Sequence, residues 1–371
     1  MADQEGRGGL CTPTRWRLIA SGVLLAACPL LVLLFERFGE ALSGGYRPFS
    51  KGLLSLQATV ASVAPFALWD FLVAGLALAA LFTLVRRVVR RRPLLPWLSV
   101  VLLVSSATLF LFVSGWALNH YALSLANEIG LEVGAYTDDE LAATTRHYLE
   151  RAAALAPSVP RGEDGELLRQ DFYELARIAG GSYRELSESY GIFEGSQVPV
   201  KALLLLGEPL LLSGHVGIFF SPTGESSVPV NCAVADLPFT MCHEAAHRLA
   251  IAREQEANFA AFLACTTSDD VRFSYSGYYS AFSFCYSALR RSDPDRAARL
   301  LDEVRTSGLD AGVGLVLADL VATGRHYDAY EGWFGRVGSA VNDGYLRSFG
   351  EREGVKSYGL VVDYLIAWDR R

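Results

Sequence analysis

The chain has 371 residues, 51% of them hydrophobic, and a mean hydropathy of +0.25. That is too apolar for an ordinary soluble enzyme and points to membrane segments. A formal net charge of −7 argues against a nucleic-acid partner, and the roughly 250 residues left after the membrane region suffice for one sizeable domain.

Residues Met1 to Arg17 are polar and carry Arg7, Arg15 and Arg17. Leu18 to Phe35 is a nearly unbroken apolar run, long enough to cross a bilayer as a helix. Leu25-Ala26-Ala27-Cys28 resembles a lipoprotein cleavage box, but the run continues past Pro29 through Leu30 to Phe35, which favours an uncleaved span. Glu36 to Val60 reads as a mixed loop, open to partial helicity. Pro65 to Val85 is the second span, with Asp70 expected at the interface because a buried charge is costly. Leu94 to Leu118 is the third, with Trp97 and Trp116 near its ends as an aromatic belt would place them.

The cluster Arg86-Arg87-Val88-Val89-Arg90-Arg91-Arg92 lies between spans two and three. With Arg15 and Arg17 it predicts a multi-pass protein of the cytoplasmic membrane, N-terminus inside. Three spans then leave everything after Leu118 on the outer face. The expected division is a membrane anchor over residues 1–118 and an extracytoplasmic domain over 119–371.

The outer region opens with helices. Thr137-Asp138-Asp139-Glu140 is a capping box for a helix reaching about Ala156. Leu167 to Ile178 and Tyr183 to Tyr190 carry further amphipathic patterns, the latter opened by Ser182 and Glu185. The pattern then changes to short apolar stretches, Val198 to Leu206 and Leu210 to Leu212. His215 to Phe220 reads as a strand, and Val228 to Val234 as another, marked as an edge by Pro229. After Cys265 the chain is again mainly helical. Helices are expected from about Ser274 to Arg290, Asp295 to Thr306 and Ala311 to Thr323, with a buried one close to the C-terminus.

The chemistry concentrates between Thr240 and Cys265. His243, Glu244 and His247 form an HExxH motif. Residues four apart share a helix face, so the two imidazoles can meet one metal ion while Glu244 lies beside it as a base for a water. Arg248 and Arg253 suggest a water-facing helix and argue against a site within the membrane. An open zinc site needs a third protein ligand, and the next segment begins with two carboxylates, Glu254 and Glu256. They lie about 200° apart around a helix, so only one can face the metal. Glu254 shares its face with Asn258 and Ala261; Glu256 shares its face more with Phe259 and Ala260.

Glu254, Ala257 and Asn258 resemble the ExxAD or ExxSD segment of gluzincin metallopeptidases. The resemblance implies zinc as cofactor, Glu254 as third ligand and Asn258 as the orienter of His243. The short turn between His247 and Glu254 departs from most gluzincins and leaves Glu256 open as the alternative. The family further implies an edge strand that holds an extended substrate beside the motif helix. An oxyanion donor is also needed; Tyr275 and Tyr278 are the first candidates, ahead of Tyr345 and Tyr358. The other histidines, His120, His147, His215 and His326, read as surface or satisfied core residues. Cys232, Cys242, Cys265 and Cys285 allow three pairings or none.

Several stretches together are similar to one bacterial membrane family, the domain of unknown function 3810. They are the three N-terminal spans, Pro238 to His247, Glu254 to Cys265, Tyr275-Ser276-Gly277-Tyr278, Asn342 to Leu346, and Gly354 to Ala367. The resemblance implies a zincin-like site on a membrane anchor and no established substrate. The expected whole is a membrane protein: three N-terminal transmembrane helices, then a mainly helical α+β zincin-like domain that hydrolyses peptides or proteins of the cell envelope. The alternative is a non-catalytic envelope sensor or assembly protein that keeps the scaffold.

Overall fold

The computed structural model describes residues 12–349 and 360–371; the motif residues 354–359, with Tyr358, and Arg7 lie outside the described residues. The first element, α1 (Thr12–Ala61), is one helix of 50 residues. Its path is about 75 Å, more than twice the thickness of a bilayer core. The sequence predicts a mixed loop over Glu36 to Val60; the structure shows helix instead. Long-range contacts account for the difference. Arg47 is buried and donates to Glu128 Oε1 (2.6 Å) and to the carbonyl of Leu123 (2.7 Å). Ser50 Oγ donates to the carbonyl of Gly115 (2.6 Å). Cys28 lies inside the same unbroken helix.

α2 (Leu68–Val89) and α3 (Leu95–Gly115) form a hairpin around the arginine cluster. By length and composition, four helical stretches among the described residues could cross a membrane: α1, α2, α3 with its short 3-10 continuation to Tyr121, and Pro294–Asp328. The last was not anticipated. Part of it is core, with Val313, Val316 and Asp319 buried and Asp319 paired to Arg161 at 2.7 Å.

The remaining helices follow in order: α4 (Leu125–Ile129), α5 (Asp138–Leu155), α6 (Phe172–Gly181), α7 (Arg184–Ser189), α8 (Gly207–Leu212), α9 (Leu237–Arg248), α10 (Glu254–Thr266), α11 (Val271–Ser292), α12 (Pro294–Val304), α13 (Asp310–Asp328), α14 (Trp333–Ser348) and α15 (Val361–Asp369). The capping box on α5 forms as the sequence requires: Thr137 Oγ1 accepts from the Glu140 amide and Glu140 Oε2 from the Thr137 amide. By contrast, α7 has no side-chain cap at its start. α14 has no counterpart in the sequence reading. α15 is buried along Val361, Val362 and Tyr364 to Ala367.

A three-stranded sheet sits between the apolar helices and α9. β1 (Lys201–Leu203), β2 (Ile218–Phe220) and β3 (Glu225–Pro229) are ordered β1-β3-β2. β3 runs parallel to β1 and antiparallel to β2. The edge expected from Pro229 is therefore the central strand. Pro229 is its last residue, where a missing N–H costs the ladder nothing further along. β1 and β2 are the two outer strands; β1 is bridged at Ala202 to Phe66, and β2 has no further strand partner among the described residues.

Carboxylates weld α2 to this sheet. Asp70 is fully buried, not interfacial, because it accepts the amides of Leu204, Leu205 and Leu206 at 2.9, 2.8 and 3.0 Å. In return Glu225 of β3 accepts the amides of Leu68 and Trp69 at the start of α2, at 2.8 and 3.0 Å. Negative charge is favourable there, since the first helical N–H groups have no partner within the helix. Trp69 adds a hydrogen bond from Nε1 to Ser227 Oγ (3.0 Å) and stacks on Phe220.

Candidate metal centre

α9 is enclosed on all sides, and every residue of it is buried. The water-facing helix expected from Arg248 and Arg253 is not what forms. Arg248 is 1% exposed and donates through Nη2 to the carbonyl of Val198 (2.8 Å); burial pushes its pKa down to about 10. Three neighbours fix the helix by its carbonyls. Ser226 Oγ of β3 donates to Glu244 O (2.6 Å), Tyr183 Oη to Cys242 O (2.9 Å), and Trp116, just past α3, donates through Nε1 to His247 O (2.9 Å).

A tight reversal joins α9 to α10. Ala250 takes a left-handed conformation (φ 63°), unusual for a residue with a side chain. The turn returns the chain so that Glu254 begins α10 opposite the two histidines. It also brings the Ile251 carbonyl to His247 Nδ1 (2.8 Å), while Asn258 Oδ1 reaches His243 Nδ1 (2.8 Å).

These two bonds set the ring chemistry. A carbonyl oxygen and an amide oxygen both accept, so each Nδ1 carries the proton and each Nε2 presents a lone pair. The two Nε2 atoms are 3.1 Å apart. Glu254 Oε2 lies 3.2 Å from His243 Nε2 and 3.7 Å from His247 Nε2. Three lone pairs thus converge in a buried space, and Glu254 Oε2 has no hydrogen-bond donor of its own. Neighbouring ligands on a tetrahedral zinc ion with ~2.05 Å bonds are about 3.3 Å apart. Among the described residues this is the group of three that could hold a metal ion.

The electrostatics agree. Burial works against a charge on His247, yet the adjacent Glu254 carboxylate overrides it and raises the pKa to about 9 in the metal-free protein. Burial likewise opposes the charge on Glu254, but His247 and His243 hold its carboxyl far below the usual range. The carboxylate and the two imidazoles thus favour a cation between them.

Glu256 does not join the cluster. Its Oε1 accepts from Arg253 Nη1 (2.9 Å) and Tyr364 Oη (3.2 Å), on the side of α10 away from the histidines. Glu244 stands next to the cluster with Oε2 buried and without a partner, and burial pushes its pKa up to about 7. Gly217, just before β2, lies directly against the Glu244 carboxylate; a Cβ there would sit 2.8 Å from Glu244 Cγ and Cδ.

Two cavities meet at Glu244. One, of about 580 Å³, runs back along α9 past Phe239 and Thr240 to Asp236, about 10 Å from His243 by helical rise. The other, of about 490 Å³, is bounded by Phe112 and Trp116 at the end of α3, by β2, and by Asn342 and Tyr345 of α14. His215 lines both. Its Nδ1 bonds Ser213 Oγ at 2.9 Å, and burial lowers its pKa.

The structure does not bring Tyr275 or Tyr278 to the cluster. Tyr275 is buried with its hydroxyl on Asp319, which is paired to Arg161. The Tyr278 hydroxyl accepts from Arg151, whose guanidinium stacks over the ring at 4.9 Å. Local polar context pointed to these tyrosines, but their faces of α11 meet α5 and α13. Gly217 was not singled out in the sequence, His215 was read as a surface or satisfied core residue, and Tyr345 stood behind Tyr275 and Tyr278 as an oxyanion candidate; all three line the cavity beside the cluster. The sequence signal for the first two is a His-Val-Gly run entering an edge strand. Cys232, Cys242, Cys265 and Cys285 are buried free thiols.

One family model, described as a protein of unknown function (DUF3810), matches residues 46–366. No curated protein and no solved structure matches the chain.

Proposed function

We propose that this chain, which belongs to the DUF3810 family, is a membrane-anchored zinc metallopeptidase of zincin type. The observation that carries the reading is the convergence of His243 Nε2, His247 Nε2 and Glu254 Oε2 within 3.1–3.7 Å, with both Nδ1 protons already committed. Such a set of lone pairs is stable around a cation, and two imidazoles with one carboxylate suit zinc with an open position.

Bound zinc would supply Lewis acidity toward a substrate carbonyl and toward a water. The chain supplies the rest. Glu244 takes the water's proton at its free Oε2 and passes it to the leaving amine. β2 offers its unpaired edge to an extended peptide next to Glu244. His215, on the wall of both cavities, takes the oxyanion role that the sequence assigned to Tyr275 or Tyr278. Asn258 and the Ile251 carbonyl hold the two rings in place.

The anchor, in this reading, is α1 to α3 with the N-terminus and the Arg86 to Arg92 cluster in the cytoplasm, so that the catalytic domain faces outward. The alternative, an inactive sensor that keeps the scaffold, leaves the buried, unpaired Glu244 carboxylate without a purpose. The test is zinc stoichiometry and peptide hydrolysis of the purified full chain. Wild type should bind one zinc and hydrolyse peptides, and Glu244→Gln should keep the zinc and lose the hydrolysis. A protein that binds no zinc, or a Glu244→Gln variant at full rate, refutes the reading.

A further inference from the structure

α14 has two unlike faces. The inner face closes the cleft: Gly338 packs against the Ser213 carbonyl, a Cβ on Gly335 would lie 3.6 Å from the Leu212 carbonyl oxygen, and Asn342 and Tyr345 line the cavity above the histidines. The outer face is apolar and open. Trp333, Phe334, Val337 and Val341 are 61, 53, 51 and 68% exposed. Residues 333, 337 and 341 repeat every four positions and so form one stripe, joined by Ala340 and Gly344. Arg336 and Arg347 flank it, the pattern of a helix that lies in a bilayer interface with long cations reaching back to water.

The attachment points of α14 give the same location. At its N-terminal half it rests on the end of α8. α8 directly follows the Leu204–Leu206 turn, whose three amides are held by Asp70 in the first turn of α2. Leu204, Leu205 and Leu212 are themselves exposed, as are Phe71, Leu72 and Leu76 along α2. At its C-terminal half, Tyr345 meets Phe112 at the end of α3, ring centroids 6.0 Å apart. α2 and α3 form an antiparallel hairpin, so the start of one and the end of the other emerge on the same side. α14 is tied to both, and exposed apolar side chains run from α2 through the 204–205 turn and Leu212 to α14.

We infer that α14 is seated in the interface of the lipid bilayer through Trp333, Phe334, Val337 and Val341, and that the cleft over His243, His247 and Glu254 opens at the membrane surface. Resting on the peptidase reading, this makes the substrate a membrane-proximal extended segment of a membrane-anchored polypeptide, reached under α14 rather than from bulk water.

The decisive experiment needs no activity. A nitroxide is placed at Val337→Cys, and separately at Glu163→Cys in an exposed loop, both in a Cys11→Ser full chain reconstituted in phosphatidylglycerol–phosphatidylethanolamine vesicles. The label at 337 should collide several-fold more with lipid-dissolved oxygen than with an aqueous nickel chelate, and the label at 163 should show the reverse. Equal aqueous access at the two positions overturns the inference. A second arm compares one peptide sequence free in solution and tethered to a vesicle-embedded anchor. Trp333→Asp with Val337→Asp should keep bound zinc and lose several-fold in cleavage of the tethered form only. Equal effects on both forms would also overturn the inference and leave the zinc site standing. Lipid contact at 337 in a chain that cleaves neither form would instead refute the peptidase reading alone.

Discussion

Replacing Gly217 by alanine adds a single methyl against the proposed base. That Cβ would lie 2.8 Å from Glu244 Cγ and Cδ, where carbon atoms in contact normally keep ~3.5–4.0 Å. The gap closes only if the carboxylate or β2 retreats by about 1 Å. Glu244 is the part that can yield, because its side chain is flexible at the far end and a cavity lies on either side of it. Stability should therefore fall by no more than ~1 kcal/mol, the low end for an overpacked methyl. A base misplaced by about 1 Å costs on the order of 10²-fold in rate, some 2.7 kcal/mol of transition-state stabilisation. The new methyl's nearest neighbours are all atoms of Glu244, so zinc binding should be unchanged. Metal stoichiometry, a thermal melt followed by circular dichroism, and hydrolysis of a peptide on the same Gly217→Ala preparation separate these effects. Wild-type turnover with zinc retained would show that Glu244 is not positioned by this contact, and loss of zinc would show that the ligand set has been misidentified.

Glu254→Ala should strip zinc from a folded protein, whereas Glu256→Ala should retain it and lose ~1–3 kcal/mol of stability by removing the acceptor of the buried Tyr364 hydroxyl; zinc content and thermal melts of both variants decide. Asn258→Ala should weaken zinc binding ~10–100-fold by freeing the His243 ring, and Asn258→Asp, which can still accept from Nδ1, should not; competition with a chelator of known affinity measures both. Asp236 titrates near 6 because burial disfavours its charge, against 3.8 for the free side chain. A raised carboxyl favours folding below pH ~4 and loses that contribution as pH rises through 6, about 2–3 kcal/mol in all. Asp236→Asn should then match wild type in melting temperature at pH 4 and exceed it at pH 7, and a constant difference across that range would exclude this origin.

The juxtaposition of His243, His247, Glu254 and Asn258 was legible in the sequence because local geometry nearly dictates it. Residues four apart on α9 must share a face, and a reversal of six residues between His247 and Glu254 leaves α10 little choice but to present its first turn to that face. The apolar runs and the Thr137 capping box were legible for the same reason, since each depends on residues within a few positions of one another. What the tertiary structure alone decided involves partners far apart in the chain. Arg47 reaching Glu128 turned a predicted loop into helix, and Asp70 reaching the 204–206 amides put a carboxylate in the interior. Pairing on both sides made β3 central although Pro229 marked an edge. The choice between Glu254 and Glu256 also fell to distant residues, because Tyr364 joins Arg253 in claiming the latter. α14 was missed since its stripe faces outward and its inner face is rich in small and polar residues, so no apolar core pattern marks it. Its place over the cleft follows from contacts with Ser213 and Phe112, more than a hundred residues away in the chain. Local periodicity cannot encode such contacts.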